Sequence, residues 1–178
     1  MYRLGIKTLS NMIKILLTIT FALLSIEGIA QIPNSLFGLT LGESTKEEVL
    51  KVADSKNMHV MNRGDKVYLT SNRAKTMTIY GFPWDCIVCE FYQDQLMLVS
   101  LGAFSNDGIG DQSILERYNS LTKLYDERYE SYKSSSSEKR SQYQSGDTKL
   151  SISLSPDQAN HNQVFVNFYS VRLVNLKK

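Results

Sequence analysis

Apolar residues along this chain fall into three patterns, and each predicts a different element. The first is an almost unbroken run, Ile15 to Ile26, preceded by Arg3, Lys7 and Lys14 with no acid among them and followed by Gly28-Ile29-Ala30. A basic start, a short apolar stretch and small residues at the positions a signal peptidase reads predict a secretory signal peptide over residues 1–30, cut after Ala30. The run is shorter than the roughly 20 apolar residues that span a bilayer, so no stable membrane span is expected after its removal. Gln31 stands where a lipoprotein would carry its cysteine, and no lipid anchor is expected at that cut.

The second pattern has helical spacing. Ser44 and Glu47 are spaced as a capping box, and Val49, Val52 and Ala53 then share one face of a short helix ending near Lys56-Asn57. From Lys66 the third pattern, alternation, takes over. Val67 to Thr70, Thr76 to Tyr80, Trp84 to Tyr92 and Gln95 to Leu101 are rich in β-branched and aromatic residues. The connections Ser71-Asn72-Arg73, Gly81-Phe82-Pro83 and Gln93-Asp94 are short, which makes neighbouring strands antiparallel.

Gly102 to Gly110, with its Asn-Asp-Gly turn, reads as a joint. Beyond it Ser113 and Glu116 repeat the capping-box spacing. Ile114, Tyr118, Leu121, Tyr125 and Tyr132 form a helical stripe supported by Leu115, Leu124 and Tyr129. Ser134 to Ser137 breaks that helix, and strands are expected at Gln142 to Gln144, Leu150 to Leu154 and Val164 to Leu176. The expected fold is α+β: antiparallel meanders each preceded by a helix, a tandem repeat with halves at 31–104 and 111–178 packed as one domain.

Charge changes the list of partners. The net charge of +2 is supplied by the leader, whose Arg3, Lys7 and Lys14 outweigh Glu27, and the remainder is neutral. Nucleic-acid binding needs clustered Lys and Arg, and here the basic residues are scattered among acids, so none is expected. With two cysteines the chain is no disulfide scaffold. Asn-X-Ser/Thr is absent, which favours a bacterial periplasm or exterior over eukaryotic secretion.

Cys86-Ile87-Val88-Cys89 has the spacing of a redox CxxC motif. Such motifs place the first thiol at a helix N-terminus, where amide dipoles lower its pKa, whereas this pair lies in a strand pattern. Residues three apart on a strand face opposite ways about 10 Å apart, beyond the reach of a disulfide. Two packed thiols, a disulfide across a local bulge, and a redox site remain open, the first favoured by that geometry. His59 and His161 lack any zinc-binding pattern and read as solvated. No serine lies in GxSxG or SxxK, and Gly108-Ile109-Gly110 lacks the third glycine of a dinucleotide loop. No cofactor, metal or enzymatic activity is expected. Tyr118, Tyr125 and Tyr132 read as a packed stripe. Phe82 and Trp84 flank Pro83 at a strand junction, either as a structural corner or as partly exposed anchors for a partner.

Phe37-Gly38-Leu39-Thr40-Leu41-Gly42, followed by Ser44 and Glu47-Glu48-Val49-Leu50, resembles the opening of the SmpA/OmlA (outer-membrane assembly) family, where such a run starts a helix ahead of an antiparallel sheet. Two such units in tandem look like the β-lactamase inhibitory protein architecture and like tandem α+β proteins exported by gut bacteria. The missing lipoprotein cysteine departs from the assembly lipoproteins. The resemblance implies a non-catalytic protein-binding module with no active site to carry over. The expectation is therefore an exported interaction module whose partner is a protein of the cell envelope or exterior. The alternatives are a small-ligand or lipid binder, and a thiol redox protein using Cys86 and Cys89.

Overall fold

A computed structural model describes residues 31–71, 77–79, 81–105, 110–156 and 161–178. The predicted signal peptide and the Asn-Asp-Gly turn at 106–108 lie outside the described residues. Gln31–Lys178 is one compact unit.

The fold is α+β, with three helices among the described residues and a large antiparallel sheet. A small hairpin, β1 (Ser35–Leu36) with β2 (Leu39–Thr40), turns through Phe37 and Gly38, both at positive φ. It leads to α1 (Lys46–Ser55). The capping box of α1 is Thr45 with Glu48, one residue later than Ser44 and Glu47. Ser44 is engaged elsewhere: its hydroxyl accepts from Thr40 N at 3.0 Å, and its carbonyl accepts from Leu96 N at 2.7 Å. That pins Ser44 to the sheet and leaves Thr45 as the last residue with extended backbone before the helix.

Next come β3 (Met58–Arg63), β4 (Lys66–Ser71), β5 (Met77–Ile79), β6 (Phe82–Trp84), β7 (Cys86–Tyr92) and β8 (Gln95–Phe104). Of the expected run Thr76 to Tyr80, Thr76 and Tyr80 lie outside the described residues, and the described part, β5, pairs with β6 as a hairpin separate from the main sheet. After α2 (Asp111–Tyr129) and a 3₁₀ turn (Glu130–Tyr132) follow β9 (Lys133–Ser137), β10 (Arg140–Ser145), β11 (Thr148–Pro156), β12 (Asn162–Ser170) and α3 (Val171–Lys177). The eight-stranded order is β3-β4-β7-β8-β12-β11-β10-β9, antiparallel throughout.

Three sequence expectations are corrected here. The serine run is an edge strand: serine favours turns, yet Ser135, Ser136 and Ser137 pair with Gln142, Ser141 and Arg140. Val171 to Leu176 is helical rather than strand, because Ser170 Oγ caps Leu173 N and Asp147 accepts from both Ser170 Oγ and Arg172 N. And α2 starts at Asp111 with Gly110 as N-cap and no side-chain cap. Ser113 is thus already inside the first turn, while Glu116 accepts from Gln112.

Because side chains alternate, the pairings sort the sheet into two faces. On one, Val67, Cys89, Val99, Phe168 and Leu150 lie side by side across five strands, with Leu69, Ile87, Leu101, Val166 and Ile152 as the next row. All ten are buried. Over the β11 and β12 part of this face lies α2, whose buried stripe is Ile114, Tyr118, Leu121, Tyr125 and Tyr129. Tyr129 takes the position expected of Tyr132, which falls in the 3₁₀ turn.

The two capping assignments differ measurably. Thr45→Ala should lower unfolding stability in urea by about 1 kcal/mol, and Ser113→Ala should change it by no more than about 0.5 kcal/mol; the reverse ranking would place the caps where the sequence spacing put them.

Candidate functional site

The cysteine pair lies on β7, as the alternation predicts, with its two thiols on opposite faces. Cys89 is buried in the covered core, cross-strand from Val67 and Val99. Cys86 is half-buried on the other face, opposite Gly102. Both are free thiols. Burial pushes Cys89 up to about 12. Burial, reinforced by the neighbouring Asp85 carboxylate, pushes Cys86 up to about 11. Both shifts disfavour the thiolate, the form a redox or nucleophilic cysteine must adopt.

Phe82, Pro83 and Trp84 form β6. Trp84 is 2 % exposed, and its indole Nε1 donates to the Ile79 carbonyl at 3.2 Å. The hydrogen-bonded indole is the pivot of the β5–β6 hairpin, so its ring is not an exposed anchor as one sequence reading allowed. Phe82 and Pro83 are half-buried, and the Pro83 carbonyl accepts from Arg117 Nη1 of α2 at 2.7 Å. The cluster is a corner tying the hairpin to that helix. His59 and His161 are exposed. Among the described residues, no three His, Cys, Asp or Glu side chains converge as they would around a metal ion.

The feature that sequence reasoning did not single out is the second face of the large sheet. The pairings align three rows across it. In one, Leu98 lies beside Tyr169, and Tyr169 beside Lys149. The next runs Val88, Ser100, Asn167, Ser151 and Gln142. The third runs Cys86, Gly102, Phe165, Ser153 and Arg140. Leu98, Phe104, Phe165 and Tyr169, spread over these rows and the one beyond, are half-buried.

Two glycine and serine positions shape this face. A Cβ on Gly102 would stand 2.9 Å from Phe104 Cζ and 3.0 Å from Cys86 Sγ, so the absence of a side chain lets Phe104 and Phe165 meet edge to face at 5.8 Å between ring centres. Ser100 and Ser151 are small enough that their neighbours overshadow them, and both are buried. The middle row therefore dips at Ser100 and Ser151, and at Ser151 the dip is a short trough with Tyr169 and Arg140 in the rows on either side.

The side of the trough along the Glu90, Leu98 and Tyr169 row is flanked by α3. Lys177 of that helix bonds Glu90 Oε1 and Asp65 Oδ2, each at 2.6 Å, and Lys66 also pairs with Glu90 at 3.2 Å. Beneath the helix, Leu98, Arg140, Ser151, Asn167, Tyr169 and Val174 line a cleft of about 360 Å³. Burial holds the Tyr169 phenol above its ordinary range, with Arg140 pulling the other way, so the ring carries an intact O–H donor at neutral pH. A second cleft, of about 310 Å³, lies where the entry residues Gln31 and Pro33 run past Leu124, Tyr125, Arg128 and Tyr129 of α2. It is the seam between the chain's entry segment and the outer side of that helix. Its few polar groups do not converge as those of the first cleft do.

A sequence signal for this face exists in β12. Phe165, Asn167 and Tyr169 alternate with the buried Val164, Val166 and Phe168, so neither face of that strand carries a charge.

No protein-family model, curated protein or solved structure matches this chain.

The thiol shifts carry a pH consequence. A thiol whose folded pKa is raised stabilises the fold below its unfolded value, near 9.0, and loses that contribution as pH rises toward about 11. Urea stability should therefore fall over that alkaline window, and fall less in Cys86→Ala. Native protein should also resist alkylation at neutral pH and react fully once unfolded. Fast alkylation of the folded protein at neutral pH would contradict the burial argument.

Proposed function

We propose that this chain is an exported, non-catalytic interaction module that offers the second face of its eight-stranded sheet to a protein partner in the cell envelope or exterior. The carrying observation is the asymmetry of the sheet: one face is packed into the core, and the other keeps Phe104, Phe165 and Tyr169 half-exposed beside a polar trough. Aromatic side chains ringed by polar ones are the usual anchors of protein interfaces. Thiols held protonated by burial argue against the redox alternative.

Export rests on the leader pattern over Met1 to Ala30, and the compact unit begins at Gln31, the first residue after the expected cut. Among the described residues no helix is long and apolar enough to cross a membrane. The order α1-β3-β4-β7-β8 followed by α2-β9-β10-β11-β12 supports reading the unit as two similar halves, joined where β8 meets β12. That order is also what the resemblance to tandem exported proteins implies.

Capture from cell-envelope extract on immobilised processed protein tests this reading. A specific partner should be retained by the wild type and by Leu124→Ala on α2, and retained about tenfold less by Phe165→Ala, with circular dichroism confirming that both variants are folded. Equal capture by Phe165→Ala, or no specific partner, would overturn it.

A further inference from the structure

We infer that the half of this face carried by β10, β11 and β12 receives an extended acidic segment of the partner protein, with one of its carboxylates seated between Arg140 and Tyr169. The inference rests on the docking face proposed above and adds the chemistry of what docks there.

Charge is the first argument. On the exposed side of β10, β11 and β12 the charged residues are Arg140 and Lys149, and no Asp or Glu lies among them. Three of the nearby acids are already committed, while Glu138, in the turn just before Arg140, is exposed and has no ion pair among the described residues. Glu90 is held by Lys66 and Lys177. Asp126 is held by Lys133 and by the Tyr143 hydroxyl, and Asp147 by Ser170 and Arg172. Neither Arg140 nor Lys149 has an ion-pair partner among the described residues. Two cations on one strip of the sheet, neither ion-paired among the described residues, are complementary to an acidic ligand.

Geometry supplies the second argument. Arg140 crosses from its own row toward Tyr169 in the row beyond, over the small Ser151, and both line the same cleft. A guanidinium offers a planar fork of donors suited to a carboxylate. The Tyr169 hydroxyl, kept protonated by burial, adds a neutral donor. Lys149 Nζ sits 6.0 Å over the Tyr169 ring, so a second positive charge is held at the same spot rather than swinging free in solvent. Asn167 Nδ2 donates to the buried Ser151 Oγ at 3.3 Å, which fixes the Asn167 amide on the wall of the same cleft.

Shape supplies the third. The short trough at Ser151 lies between Tyr169 in one row and Arg140 in the other, leaving room for a side chain of an extended segment laid across the strands. Tyrosine, serine and asparagine with one arginine are also the side chains that adaptable protein-binding surfaces favour.

The test uses the processed protein in NMR titrations with a short blocked peptide of alternating Glu and Thr, its Gln-for-Glu counterpart, and oligogalacturonate. The acidic peptide should shift the amides of Ser151, Asn167 and Tyr169 saturably and bind about tenfold more tightly than the Gln peptide, the worth of one charge-assisted contact. Arg140→Gln should remove that advantage, added salt should weaken binding, and Arg128→Gln on α2 should change nothing. Equal binding of the two peptides, undiminished binding by Arg140→Gln, shifts on another surface, or preference for oligogalacturonate would each overturn the inference. If no peptide binds while Phe165→Ala still abolishes partner capture, the docking face stands and the acidic assignment falls.

Discussion

The pairing of β8 with β12 is the contact on which the rest of this structure depends. It runs from Leu98 beside Tyr169 to Phe104 beside Gln163 and joins a strand from the middle of the chain to one near its end, at the centre of one sheet. Side chains alternate with a period of two, so a slip of one residue there would turn every residue of one half to the wrong face. The register puts Val99, Leu101 and Ala103 beside Phe168, Val166 and Val164, and one apolar layer runs from β4 to β11. Of the irregularities in the sheet, the one at Gln142/Tyr143 lies away from this joint, and the one at Glu90/Phe91 falls on the far side of β8, at the joint's Leu98 end. The uncovered face inherits its order from the same register: Cys86, Gly102 and Phe165 align because Leu101 and Val166 do.

Charge pairing then decides how much of the uncovered face stays open. Lys177 reaches Glu90 and Asp65, and Arg172 Nη2 donates to the Gly42 carbonyl at 3.4 Å, so the far end of α3 is fastened over the first half of the sheet while its start is tied to Asp147 in the second. These contacts are largely exposed and individually weak. Their effect is positional, because Leu173 is buried and its helix follows β12 without a linker. The consequence is a surface with an apolar and ion-paired end near β7 and β8, and an uncharged to basic end near β10 and β11.

Elements with a strong period were legible in the sequence. The stripe of α2, the strands of β7 and β8, and the opposite orientation of Cys86 and Cys89 follow from spacing alone. Elements at the margins were not. Met58 to Arg63 is an exposed edge whose side chains are mostly in solvent, so nothing selects an alternating pattern there. Lys133 to Ser137 is wholly exposed and held by ladder hydrogen bonds rather than by side-chain preference. The last helix is set by a cap, Ser170 with Asp147, whose two members are 23 residues apart in the chain. The candidate face was illegible for a related reason. Arg140, Ser151 and Tyr169 are unremarkable in their own strands, and only the cross-strand register brings them into one trough. Trp84 shows the opposite limit: proline and two rings mark a corner, but the hydrogen bond to Ile79 that buries the indole depends on the hairpin pairing.

The central claim is that the two faces of one continuous sheet divide the work, one holding the fold and the other holding a partner. Hydroxyl-radical footprinting of residues 31–178, free and with any partner captured by the proposed docking face, tests it most directly. The account predicts protection of Phe165 and Tyr169 on binding, with Leu124 on α2 equally reactive in both states. Protection of Leu124 with Phe165 and Tyr169 unchanged would contradict it.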